Sequence, residues 1–375
     1  MVREILLMAV AAGLAVAASF SVRPARTYRA WRVALFATEL GHVWGWLALA
    51  VAGGAGWVAW TEKNVIAGSA AVIAAGAVAG FARPVWSARR MSGRVEAELA
   101  AVFGGRARLW SWARLASWPT RAEAVAVEAL EADGVAVDFY RAKGVAAGER
   151  APCVVLVHGG GWNSGGRGEL AWFNRWLAAR GVAVAAFDYR LAPEHRWPAQ
   201  AEDLRVVINW IRRNAPRLGV DAERLTLVGR SAGGQIAAAT AYGDALPGVR
   251  AVVALYACHD LEFVWSIRSA TDSLNSDKLM NEFLGGGPEG REAVYRSGSA
   301  EKLAHAGVPK TLLIHGALDE LVWCRHSERL ASALKRAGAP HVFVKLPWAT
   351  HAAEANLHGP AGQLITGAVL RVARA

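Results

Sequence analysis

Three uncharged apolar runs of eighteen residues, at 5–22, 43–60 and 65–82, constrain this 375-residue chain more than any other feature. Wound as a helix, each would span ~27 Å, close to the roughly 30 Å of a hydrocarbon core. Backbone in lipid must satisfy its own polar groups, so runs of this kind are expected as membrane helices. The region 1–84 is therefore predicted to hold three of them.

Charge placement gives an orientation. Arg23, Arg26, Arg29 and Arg32 lie between the first two runs, Glu62 and Lys63 between the second and third, and Arg83, Arg89, Arg90 and Arg94 after the third. Arg-rich flanks stay on the cytoplasmic side. Three spans with the N-terminus outside put both flanks inside, and the rest of the chain with them. A cleaved signal peptide is the rival for the first run, which has small residues at Ala17-Ala18-Ser19. It would start the four-Arg loop outside, and its Arg3 is offset by Glu4. The expectation is thus an integral membrane protein with a cytoplasmic C-terminal domain.

The formal net charge of +11 follows the same division. Residues 1–123 carry 14 basic and 6 acidic side chains, against 28 and 25 in the remainder. The basicity belongs mostly to the flanks, where membrane lipids are its partners, and it does not indicate nucleic acid. Residues 85–120 read as a basic, Trp-rich connector of helical spacing, interrupted at Gly104-Gly105 and closed by Trp118-Pro119. Its Trp110, Trp112, Arg114 and Trp118 suit either a headgroup boundary or packing on the next domain. Gly76 and Gly80 are spaced for close helix contact, and Glu39 and His42 are expected at the bilayer interface. Cys153, Cys258 and Cys324 have neither metal-ligand spacing nor a disulfide framework.

From residue 121 the pattern changes. Alternating runs at 124–130 and 135–140 flank Asp133-Gly134 and predict an opening hairpin. Strands are then expected at 153–158, 182–188, 224–229, 251–257, 311–315 and 341–346. Helices are expected at 169–180, 199–214, 232–241, 325–337 and 355–372. Short apolar strands separated by helices argue for an α/β domain, with a mostly parallel central sheet flanked by helices. The polar stretch 261–300 breaks the alternation and reads as a cap.

Two of the strand ends carry chemistry. Ser231 lies in Gly229-Arg230-Ser231-Ala232-Gly233, after Leu225-Thr226-Leu227-Val228 and before an Ala-rich helix. That context exposes a serine Oγ on a sharp strand-to-helix turn. Gly160 and Gly161, in His158-Gly159-Gly160-Gly161-Trp162, can bring backbone N–H groups to a substrate oxygen, and the N–H of Ala232 would complete an oxyanion hole. A phosphate-cradling loop is the weaker reading, since the lysine and hydroxyl of a Walker loop are missing. A serine nucleophile needs a base and an orienting acid, in the chain order Ser, acid, His. His351 follows the last strand and Asp319 the one before it. Competing for these roles are His158 in the glycine loop, His315 at a strand end, His358 in the expected last helix, and Glu320 and Asp260 as acids.

With these residues assembled, 121–375 resembles the α/β-hydrolase fold, in its hormone-sensitive-lipase-like and carboxylesterase branch. The resemblance rests on His158-Gly159-Gly160-Gly161-Trp162, on Asp188-Tyr189-Arg190-Leu191-Ala192-Pro193-Glu194 with Trp197-Pro198-Ala199, and on Ser231-Ala232-Gly233-Gly234. It implies hydrolysis of a small-molecule or lipid-like carboxylic ester through an acyl-serine, with no metal or organic cofactor. It also implies that the run from Asp188 braces the glycine loop. Arg230 departs from the branch, which has Asp before the nucleophile, and so does Thr350-His351-Ala352-Ala353. An amidase or acyltransferase would share the triad, and a catalytically silent membrane scaffold would share the fold. Acyl length, alcohol and oligomeric state are not encoded in these motifs.

Overall fold

A computed structural model describes residues 1–106, 108–117, 123–146 and 148–375. Trp118 and Pro119, read above as the end of the connector, lie outside the described residues. In chain order the elements are α1 Val2–Ser19, α2 Tyr28–Glu39, α3 Gly41–Glu62, α4 Val65–Phe103, α5 Trp112–Ala116, β1 Val127–Ala132, β2 Val135–Tyr140, β3 Ala151–Val157, α6 Ala171–Ala178, β4 Ala183–Phe187, α7 Ala199–Leu218, β5 Val220–Arg230, α8 Ala232–Gly243, β6 Val249–Leu255, α9 Leu261–Ile267, α10 Ser276–Leu284, α11 Glu292–Ser297, α12 Ala300–Leu303, β7 Lys310–Gly316, α13 Arg325–Arg336, β8 His341–Leu346 and α14 Pro360–Arg374.

The eight strands form one sheet in the order β1-β2-β4-β3-β5-β6-β7-β8. β1 and β2 pair antiparallel through a two-residue turn, where Asp133 and Gly134 both have positive φ, as such hairpins require. β2 meets β4 antiparallel, and β4 through β8 run parallel. Every residue of β3 and β4 is buried, because helices cover both faces. On one face α7, α8 and α13 close a core around Val155, Leu204, Ile236 and Leu334. On the other, α6 and α14 close a second core around Leu156, Val228, Phe173 and Ile365. This is the α/β-hydrolase fold.

α1, α3 and α4 are each long and apolar enough to cross a membrane. They pack side by side, and Gly80 of α4 meets α1 so closely that an added Cβ would lie 2.9 Å from the Ala18 methyl. Gly76, its partner in the small-residue spacing, touches nothing on another helix.

The chain departs from the sequence reading in three places. First, α4 does not stop at residue 84: it runs through Pro84 for 39 residues, ~58 Å at the usual rise. Its buried stripe continues as Phe81, Ala88, Val95, Leu99 and Phe103, and the last four join the second core of the sheet. Each large apolar side chain buried there is worth about 1.5–3 kcal/mol, enough to extend the helix past a proline. The basic connector therefore begins within a helix, and Trp110 is buried while Trp112 is half exposed.

Second, the loop between the first two apolar runs contains α2, capped by Thr27 Oγ1, which accepts from Ala30 N at 3.2 Å. Glu39, at its end, is not at an aqueous interface but 1% exposed against α14. Third, the last helix begins at Pro360 rather than 355, because proline favours a helix's first turn. His358 consequently sits in the loop before it, with Nδ1 2.8 Å from Ser117 Oγ.

Candidate active site

Ser231 connects the end of β5 to the start of α8. Its φ of 49° and ψ of −119° are a conformation L residues avoid, held by a hydrogen bond from its N–H to Leu255 O at 2.9 Å. Crowding explains the flanking glycines. A Cβ on Gly229 would lie 2.2 Å from Gly233 O, and one on Gly233 2.3 Å from Val157 O and His158 O. Both distances are far inside van der Waals contact, so the turn requires glycine on each side.

The glycine loop leaves β3 with Gly160 at φ 105° and Gly161 at φ 58°. Among the described residues, the N–H groups of Gly160, Gly161 and Ala232 have no hydrogen-bond partner. The loop is braced from outside. Tyr189 O–H reaches His158 O and Gly159 O at 3.3 and 3.2 Å, and Glu169 accepts from Gly159 N at 2.8 Å. Asp188 accepts from Arg167 N at 2.7 Å and pairs with its guanidinium. His158 stacks on Tyr189 at 4.0 Å, its Nδ1 2.7 Å from Gly159 O. Burial pushes its pKa down, and the ring is part of the loop's support.

Asp319 and His351 come together from successive strand ends. His351 Nδ1 lies 2.7 Å from Asp319 Oδ2, with both side chains nearly buried. Asp319 Oδ1 accepts from Leu321 N and Val322 N at 2.9 and 3.0 Å. Burial pushes the Asp319 carboxyl up, but the His351 imidazole and the hydrogen bonds from His315 and His351 outweigh it and hold the group well below the usual carboxylate range. It is therefore ionised throughout the neutral range. His315 stands behind Asp319 at 3.3 Å, bonded at its other positions to Ser327 Oγ and Val322 O. Glu320 lines the adjoining cavity, and Asp260 pairs with Arg329 at 2.6 Å, so neither competitor faces His351.

Leu255-Tyr256 joins the two halves of the site. Leu255 O holds Ser231 N, and the Tyr256 ring meets the His351 ring edge-on at 4.4 Å. Among the described residues, Ser231 Oγ and His351 Nε2 have no hydrogen-bond partner. In unliganded sites such bonds often tighten only once substrate is bound. Above the glycine loop, α9, α10 and α11 form a roof over the position read as a cap. Trp162 stacks on Phe283 at 4.3 Å, and a cavity of about 190 Å³ is lined by Trp162, Cys258, Leu279, Met280, Val322 and His326.

Arg230, the departure inside the signature, points away from this cavity. It is 1% exposed, and its guanidinium lies 4.6 Å over Phe173 with Nε donating to Glu354 Oε1 at 3.0 Å. Tyr256 O–H donates to the same carboxylate oxygen, and burial holds that phenol in its neutral form. Glu354 follows His351 by three positions, so the pair ties the nucleophile's strand to the histidine's loop. Sequence reasoning missed Glu354. The one available signal was that a buried guanidinium needs a carboxylate.

The fold and several stretches of sequence have known counterparts. The BD-FAE family model matches residues 137–334. Esterase LipQ of Mycobacterium tuberculosis is 28% identical over 235 residues, 58% of this chain and 53% of LipQ. Carboxylesterase NlhH of the same organism is 44% identical over 91 residues, 24% of this chain and 28% of NlhH. The chain spans about half the length of the curated relatives it matches over the longest stretches. Among solved structures, a hyperthermophilic esterase from the archaeon Pyrobaculum calidifontis superposes with a TM-score of 0.58 at 23% identity, covering 76% of this chain and 93% of that one. A bacterial heroin esterase gives 0.58 at 24%, covering 76% and 92%. Because the family match takes in more than half of its residues, this chain belongs to the BD-FAE family.

Proposed function

We propose that this chain is a membrane-anchored serine carboxylic ester hydrolase that works through an acyl-serine. The observation that carries the reading is the convergence of three strand ends: a strained Ser231, unpartnered N–H groups at Gly160, Gly161 and Ala232, and an Asp319–His351 pair at 2.7 Å. The esterase names of the relatives point the same way.

In this reading Asp319 fixes His351 with its proton on Nδ1, leaving Nε2 as the base. Nε2 takes the Ser231 proton as Oγ attacks the ester carbonyl. The N–H groups of Gly160, Gly161 and Ala232 receive the negative charge that develops on oxygen. Collapse expels the alcohol, which leaves with the proton from His351. Water then repeats the sequence on the acyl-serine, releasing a carboxylic acid and restoring Ser231. No metal or organic cofactor enters. Hydrolysis of p-nitrophenyl acyl esters by the full-length protein tests the reaction; a protein inert to the whole chain-length series refutes it.

The anchor is residues 1–84, with 85–120 linking it to a catalytic region at 121–375 capped by 261–300. One end of the helical bundle carries Arg3, Glu4 and Glu62 as an ion-paired group. Arg23, Arg26, Arg29 and Arg32 lie beyond the opposite end of α1. This asymmetry puts the Arg-rich end, and with it the catalytic region, on the cytoplasmic side. In intact cells a C-terminal tag should resist external protease until the membrane is opened. Digestion from outside contradicts the orientation.

A further inference from the structure

The loop carrying His351 runs from the end of β8 to Pro360, and its one regular turn is the 3₁₀ segment Ala353–Ala355. A general base on so irregular a segment must be held by its surroundings, since a misplacement of about 1 Å can cost 10²-fold in rate. Three restraints come from the hydrolase region: Asp319 on the imidazole, Arg230 and Tyr256 on Glu354, and Trp172 Nε1 on Ala355 O at 3.2 Å. The others come from α2, between the first two apolar helices.

Trp31 of α2 donates its indole N–H to the backbone carbonyl of His351 itself, at 3.0 Å. One and a half turns further on, Glu39 takes hold of the far end of the loop. Its backbone oxygen accepts from Asn356 Nδ2 at 2.9 Å, and its Oε2 accepts from Ala361 N and Gly362 N at 3.0 and 3.3 Å. The carboxyl thereby caps α14, whose first N–H groups have no partner within the helix. The fit is close, since a Cβ on Gly359 would lie 2.4 Å from Glu39 Oε2. The segment before α2 also touches the cap, where Ser273 Oγ donates to Arg26 O at 3.2 Å.

We infer that α2 is a positioning clamp on the loop of His351, with Trp31 and Glu39 as its two contacts, so that turnover depends on the N-terminal helices being seated on the hydrolase region. This rests on the esterase reading and assigns the anchor a part in the reaction beyond tethering. Neither residue reaches the reacting atoms; both act through His351. Burial raises the Glu39 carboxyl to about 8, against the pull of the Gly362 and Ala361 N–H groups. A neutral amide is therefore a fair replacement for it.

The test uses the full-length protein in nanodiscs with p-nitrophenyl acetate, a water-soluble ester that needs no membrane access. Trp31→Phe keeps the ring and removes the donor. It should lower kcat by about 10- to 100-fold while KM and the melting temperature stay near wild type. Trp60→Phe, at an exposed indole of the bundle, should leave kcat unchanged. Glu39→Leu should lose kcat, and Glu39→Gln, which retains an acceptor oxygen, should recover it. An unchanged kcat in Trp31→Phe overturns the clamp. So does a loss shared with Trp60→Phe, a loss matched by a lowered melting temperature, or a Glu39→Gln no better than Glu39→Leu. A wild-type protein inert to every ester would refute the hydrolase reading instead, and is distinguishable from all of these.

Discussion

Ser231→Ala is expected to lower kcat/KM for a p-nitrophenyl ester by about 10⁵-fold or more, with the protein still folded. The size follows from what the variant keeps and what it loses. The N–H groups of Gly160, Gly161 and Ala232 and the Asp319–His351 pair remain. Oxyanion donors and binding alone leave roughly 10³- to 10⁴-fold over water in enzymes of this design. The covalent route itself disappears, because Ala has no Oγ to carry the acyl group. Members of a triad act as a unit, so their losses do not add. Ser231→Ala combined with His351→Ala should therefore be scarcely slower than Ser231→Ala. Steady-state kinetics of the two single variants and the double variant check this. A Ser231→Ala protein within tenfold of wild type, or losses that multiply, would remove Ser231 from the chemistry.

The second large effect is on stability. Glu354→Leu is expected to destabilise the protein by about 3–5 kcal/mol, because it strands the Arg230 charge in a place water cannot reach. Arg230 and Glu354 are 1% and 0% exposed, and Arg230 Nη1 and Nη2 already have no partner among the described residues. Removing the carboxylate leaves only the face of Phe173 for that guanidinium. Replacing both partners, Arg230→Met with Glu354→Leu, should recover most of the loss, since packed apolar groups can substitute for a buried pair at little cost. Chemical denaturation of the three variants reads both numbers. Equal stability of Glu354→Leu and wild type would mean that the pair does not hold the loop.

The contrast between these sites explains what the sequence could disclose. The elbow, the glycine loop and the Asp133-Gly134 turn are local devices: a run of β-branched residues, then residues whose backbone φ or close contacts exclude other side chains. They can be read within about ten positions. The alternation of strands and helices is similarly local, and chain order then singled out Asp319 and His351, whose side chains meet in the fold. The contacts that steady the site have no local signal. Arg230 meets Glu354 across 124 positions and Trp31 meets His351 across 320. A buried Arg beside a nucleophile looked like a clue to the substrate because its partner could not be seen from the sequence. α4 passed for a span followed by a connector because arginines crowd its exposed face, while the stripe of Ala88, Val95, Leu99 and Phe103 on the opposite face carries it into the second core.

The central claim is that Ser231 is the nucleophile of an esterase. Its most direct test is to treat the full-length protein with a fluorophosphonate and locate the adduct by mass spectrometry. The account predicts a single phosphonylated residue, Ser231, and no adduct in Ser231→Ala. An unlabelled wild-type protein, or a label that persists in Ser231→Ala, would contradict it.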